Sequence, residues 1–90
     1  MKFKVINIEP TQTASRLRYT VDVEVDDWMT WRNVCVFYRE DGTRYIRPPV
    51  RQIHGPKKTI YEELVVIDSP IIQKQFQTEI LQQLDLALEK

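Results

Sequence analysis

Between positions 16 and 26 the chain reads RLRYTVDVEVD. Leu17, Tyr19, Val21, Val23 and Val25 alternate without a break with Arg16, Arg18, Thr20, Asp22, Glu24 and Asp26. A period of two cannot gather apolar side chains on one side of a helix, so the stretch predicts a strand with one buried and one wet face. The wet face begins basic and ends acidic, which suits cross-strand ion pairs contributing about a few tenths of a kcal/mol each.

The neighbouring segments follow from the same rule. Residues 2–8 place Phe3, Val5, Ile6 and Ile8 among polar residues and predict an opening strand, and PTQTAS at 10–15 reads as a turn or loop. Asp26 and Asp27 before Trp28 mark a turn. Residues 30–38 are apolar in both parities, with Trp31, Cys35 and Phe37 on one and Val34, Val36 and Tyr38 on the other. Such a strand is covered on both sides, and a chain with one evident helix covers only one side easily, which suggests a partner subunit. Asp41-Gly42 supplies a hairpin turn into a return strand at 43–47, which Pro48-Pro49 must end. VRQIHGP then reads as a loop, followed by a strand at 59–67.

Ser69 and Pro70 are a helix start, a capping hydroxyl before a proline whose missing N–H would have been unpaired anyway. Ile72, Phe76, Ile80, Leu84 and Leu88 then recur every four residues, widened by Leu81 and Ala87, and Gln73, Gln75, Gln77, Gln82 and Gln83 read as solvated surface. The expected architecture is α+β: a mostly antiparallel β-meander of about five strands with a C-terminal α-helix packed on the sheet. Ninety residues with 42% apolar content make one domain, 1–90. A domain of this size buries only about 60% of the surface of its unfolded chain, so a subunit interface would be a natural addition.

Few chemistries fit these residues. His54 is the one histidine, Cys35 the one cysteine, and Gly occurs only at 42 and 55, so the chain has no glycine-rich phosphate loop, no internal disulfide and too few ligands for a metal site. Cys35 lies in mid-strand among apolar neighbours and reads as a reduced, buried thiol. Glu24, Asp26 and Asp27 read as surface, and Glu62 and Glu63 point to opposite faces of one strand and cannot act as an acid/base pair. The expectation is a protein that is not an enzyme, with no cofactor, metal or small-molecule substrate. No run approaches the roughly 20 apolar residues of a membrane span, and MKFKVINIEP alternates too strictly for a signal peptide, so a soluble cytoplasmic protein is expected.

Charge is the sharper signal. Thirteen bases balance thirteen acids, yet residues 1–38 are neutral, 39–58 carry plus four and 59–90 minus four. RYIRPPVRQIHGPKK at 44–58 holds Arg44, Arg47, Arg51, Lys57 and Lys58 and no acid, with His54 adding charge when protonated. Several cations on one surface suit phosphate, and Tyr45 on the face of Arg47 offers a stacking platform for a base. The same cations also suit two other uses, pairing with the acidic helix or docking an acidic partner protein.

In the order of these features the chain resembles the stage V sporulation protein G (SpoVG) family. The family's G-R-M-R at the start of its second strand is matched by SRLR at 15–18, its Leu-Asp at the end of that strand by Val25-Asp26, and its hDIRVI run by RNVCVF at 32–37. Its hairpin glycine falls on Gly42. Its P-S-K/R-R-T-P-D-G falls without a gap on PPVRQIHG at 48–55, keeping Pro48, Arg51 and Gly55, while Val50 stands for the neighbouring cation and Ile53-His54 for Pro-Asp. Ile60 and Leu64 take the apolar positions of the next strand, and a helix follows in the same place. The resemblance implies a small cytoplasmic bacterial regulator, a homodimer that binds DNA and in some members RNA and affects septation, with the basic loop as the binding element. The nucleic-acid-binding candidates are therefore Arg51 and Arg47, supported by Arg44, Lys57, Lys58, Tyr45 and His54.

Overall fold

The alternating stretch is the second strand of a meander, and its neighbours are the segments on either side of it in sequence. The computed structural model describes residues 1–12 and 16–89. It contains β1 (Phe3–Pro10), β2 (Leu17–Val25), β3 (Met29–Tyr38), β4 (Arg44–Arg47), β5 (Val50–His54), β6 (Thr59–Glu63) and α1 (Pro70–Leu88). β1 to β4 form one antiparallel sheet in sequence order, and β5 and β6 form a separate antiparallel ribbon. The architecture is the expected α+β, with six strands among the described residues instead of about five. The difference lies in VRQIH, which is the strand β5 and not a loop: each of residues 50–54 keeps its N–H, and residues 50–54 pair with 59–63. The strand expected at 59–67 correspondingly ends at Glu63. Ser15 of the SRLR match and the last three residues of the turn at 10–15 lie outside the described residues.

The two turns of the meander use the residues that tolerate them. Asp26 and Asp27 have φ of 53° and 64°, the left-handed pair whose twist suits a two-strand hairpin. Gly42 has φ of 90°, a conformation side chains resist, and Asp41 braces that turn by accepting from the Thr43 N–H at 2.9 Å and the Thr43 hydroxyl at 2.6 Å.

Parity does not run unbroken along the strands. Asn33, at φ 60°, is an extra residue in β3, so the register jumps from Val23↔Trp31 to Val21↔Val34. The bulge places Trp31 on the same side as Val34 and Val36 despite its opposite parity. A second shift between Leu17 and Tyr19 sends Leu17 to the other face, where it packs with Cys35 and Phe37. The reading of Leu17 with Tyr19 through Val25, and of Trp31 with Cys35 and Phe37, is corrected accordingly.

The helix covers the first face. Phe76, Ile80 and Leu84 are fully buried against Phe3, Val21, Val23, Val25, Val34 and Val36. Phe3, Trp31 and Phe76 form an aromatic cluster, with Phe3 and Phe76 edge to face at 5.3 Å. A repeat of four residues advances about 40° per step around a helix of 3.6 residues per turn, so a five-member stripe is centred only in its middle. That is why Ile72 is partly buried and Leu88 is 45% exposed. The second face is covered over Cys35 and Phe37 by the chain's own ribbon, where Val50 packs on them beside Tyr45 of β4 and Tyr61 meets Phe37 edge to face at 5.9 Å. The apolar character of β3 on both sides is thus accounted for within one chain.

The glutamines correct a further expectation. Gln77 and Gln83 lie three residues before and after Ile80, about 60° to either side of the buried line. Gln83 takes the Val5 N–H at 2.7 Å and donates to the Phe3 carbonyl at 2.8 Å, on the outer edge of β1. Gln77 takes the Ile46 N–H at 2.7 Å and donates to the Ile46 carbonyl, on the outer edge of β4. Each amide stands in for a residue of a missing strand, so both edges of the sheet are closed by side chains of one helix. Gln77→Ala and Gln83→Ala should each cost about 1 kcal/mol of stability and Gln82→Ala less than about 0.5, against about 3–5 for Phe76→Ala, as read by urea unfolding.

Candidate nucleic-acid interface

The basic stretch is distributed over three structural settings. Arg44 and Arg47 are the ends of β4, Arg51 is in β5, and His54, Lys57 and Lys58 surround the turn between β5 and β6. Gly55 closes that turn with its N–H on the Lys58 carbonyl at 3.0 Å, and a Cβ there would crowd the same oxygen at 3.1 Å.

The arginines are engaged by the acidic part of the chain. Both terminal nitrogens of Arg44 donate to the Asp85 carboxylate on the helix, Nη2 to Oδ2 at 2.9 Å. This bidentate bond holds the Asp85 carboxyl below the usual carboxylate range and raises the Arg44 guanidinium further above its own. Arg47 donates to Glu63 of β6 at 3.0 Å, and Arg51 to its cross-strand neighbour Glu62 at 2.8 Å. Arg44 and Arg47 are also half-buried, so β4 is tied by one end to the helix and by the other to the ribbon. The charge segregation of the sequence is therefore largely closed inside the fold.

The Tyr45 ring is occupied as well. It stacks on its cross-strand partner Phe37 at 5.0 Å and 11°, and the Arg39 guanidinium stands 4.4 Å from its centroid. Tyr45 and Arg47 share one strand, yet the cation at the ring is Arg39, which sequence reasoning missed. The hairpin register gives the signal: the turn at Gly42 sets Phe37 opposite Tyr45 and Tyr38 opposite Arg44, which makes Arg39 the diagonal neighbour of Tyr45.

What stays open lies on the ribbon. Lys57 and Lys58 are exposed and in no ion pair among the described residues, and exposed His54 meets only the Thr59 hydroxyl, at 3.4 Å. The structure thus brings His54, Lys57 and Lys58 together, keeps Arg51 on the same ribbon at 60% side-chain exposure, and takes Arg44, Arg47 and Tyr45 into the fold.

Other chemistry-bearing groups serve the framework. Burial pushes the Cys35 thiol up, with the Arg47 charge opposing, and its Sγ lies 3.5 Å from the Asn33 carbonyl. A polar concavity of about 260 Å³ opens beside Asp22. There the Asp22 carboxylate accepts from the bulged Asn33 N–H at 3.2 Å and from Asn7 at 3.4 Å, pinning β3 and β1 to β2. Among the described residues no three of His, Cys, Asp and Glu gather as a metal site, and no helix is long and apolar enough to cross a membrane.

No family model, curated protein or solved structure matches this chain.

The Arg44–Asp85 pair has a definite pH signature. A carboxyl depressed in the folded state contributes stability above its unfolded value of about 3.9 and loses it as pH falls through the folded value. Because Asp85 is half-exposed and screened, Asp85→Asn should cost no more than about 1 kcal/mol at pH 7. The gap between mutant and wild type should narrow progressively in urea unfolding as pH falls below about 3.9.

Proposed function

We propose that the protein is a non-catalytic nucleic-acid-binding regulator, cytoplasmic and homodimeric, of the kind the resemblance to the stage V sporulation protein G family implies. The observation that supports it is the ribbon of β5 and β6, a two-stranded antiparallel element outside the hydrogen-bonded ladder of the main sheet with Lys57, Lys58 and His54 at its exposed turn. The exposed lysines at its tip, in no ion pair among the described residues, are suited to release counterions from phosphates. Arg51, exposed beside Glu62, adds a guanidinium that exchanges one anionic partner for another. Arg44 and Arg47 support this reading as framework, by fixing β4 to the helix and to the ribbon.

A second reading keeps the same element and changes its partner. Ile53, Ile60 and Leu64 are exposed on the ribbon while Arg51 and Arg47 already have carboxylates, a mixture that also suits a protein surface.

Fluorescence anisotropy of short single- and double-stranded DNA and RNA at three salt concentrations separates the two. The logarithmic salt slope should fall by about two for Lys57→Ala/Lys58→Ala, by about one for Arg51→Ala, and stay unchanged for Arg44→Ala. Absence of binding at low salt removes the nucleic-acid reading in favour of a protein partner.

A further inference from the structure

The chain treats its sheet edges unequally. On β1, Gln83 occupies the outward groups of Phe3 and Val5, the register shifts at Ile6, and Pro10 ends the strand. The Thr11 N–H turns inward to the Arg18 carbonyl at 2.9 Å, so by the alternation of an antiparallel ladder Pro10 faces outward, where it has no N–H to leave unpaired. On β4, Gln77 occupies both groups of Ile46, and Pro48 follows. These are the devices that prevent strand addition.

β6 has none of them. Gly55 bonds Lys58 at one end of the ribbon and Leu64 bonds the Pro49 carbonyl, at 2.9 Å, at the other. Alternation between these ends makes Ile53–Ile60 and Arg51–Glu62 the bonded pairs and turns the N–H and C=O of Thr59, Tyr61 and Glu63 outward. Among the described residues they have no partner. The strand is regular, without bulge or proline, and one of its faces exposes Ile60 beside Ile53 of β5, with exposed Leu64 directly after its end.

The sequence of this edge selects its occupant. Lys57-Lys58-Thr59-Ile60-Tyr61-Glu62-Glu63 runs from basic through apolar to acidic. Laid antiparallel on itself, the basic end meets the acidic end twice; laid parallel, like charges would meet. We propose that β6 pairs antiparallel with β6 of a second copy of this chain, joining the two ribbons into one four-stranded sheet. The outward groups pair when Tyr61 faces Tyr61 of the second copy and Thr59 faces Glu63. Lys58 is then the diagonal neighbour of Glu62 of the second copy, and Ile60 that of Ile60 and Leu64, so the apolar faces merge across the twofold axis. The inference goes beyond the nucleic-acid reading by placing the interface, and it stands without that reading.

Sedimentation at micromolar concentration, without nucleic acid, tests it. The wild type should sediment at twice its chain mass of 10.8 kDa. Thr59→Pro removes an outward donor and leaves the β5–β6 ladder, the ribbon's cations and both of its ion pairs in place, so it should raise the dimer dissociation constant at least about tenfold. Lys57→Glu/Lys58→Glu and Glu62→Lys/Glu63→Lys should each be monomeric alone and should form a mixed dimer when combined. A monomeric wild type, a dimer indifferent to Thr59→Pro, or charge variants that fail to pair with each other would overturn the proposal. Oligonucleotide anisotropy is read separately, so a dimer that binds no nucleic acid removes the earlier reading and leaves this one.

Discussion

Everything in this molecule rests on one line of helix side chains, Phe76, Ile80 and Leu84, pressed against the valines of the central strands. Four strands with one apolar face cannot stay folded in water without a second layer, and the chain has a single helix to provide it. The helix does two tasks at once. Its buried line fills the core, and the residues about 60° to each side carry amides to the two edges of the sheet. Those edge contacts are available only because the helix lies where its apolar line puts it, so closure of the sheet is a consequence of core packing.

The charges obey a similar economy. Taken as a linear pattern, a basic segment followed by an acidic one points outward, toward a polyanion. In three dimensions the two segments become neighbours, because the chain turns back at Gly55 and then crosses to the opposite face as the helix. Arg44, Arg47 and Arg51 then find Asp85, Glu63 and Glu62 within hydrogen-bond reach. Their exposed or half-exposed pairs contribute modestly to stability, but they orient β4, the ribbon and the helix relative to one another. The cationic surface without ion pairs among the described residues is correspondingly smaller than the basic stretch suggests, and Lys57 and Lys58 of that stretch lie on the ribbon.

That ribbon differs from the rest of the fold in every respect that bears on binding. It packs on the sheet through Tyr61 and Val50 alone among its described apolar side chains, while Ile53 and Ile60 stay exposed, and neither of its edges is closed by an amide. The chain guards the two edges of its main sheet with glutamine and proline and leaves β6 regular and bare. Both the cations at its turn and the self-complementary order of charges along β6 belong to the same seven residues.

The sequence by itself determined the strands of the meander, the turns at Asp26-Asp27 and Asp41-Gly42, the capped start of the helix and the α+β class, because each depends on periodicity or on the local conformational freedom of a few residues. It also showed where the cations are. Only the tertiary structure decided which face each side chain takes and which partner it finds. The bulge at Asn33 inverts the parity of β3, and nothing short of the pairing with β2 reveals it. VRQIH becomes a strand because 59–63 lies opposite, a non-local condition that a short, weakly alternating segment does not announce. Gln77 and Gln83 were legible in part, since their offset of three from Ile80 is written in the sequence, but a glutamine on a helix flank becomes an edge guard only when a strand edge ends beside it. The roles of Arg44, Arg47 and Tyr45 were hidden for the same reason: an ion pair or a stacked ring is set by proximity in space, and the residues that complete it are up to 41 positions away along the chain.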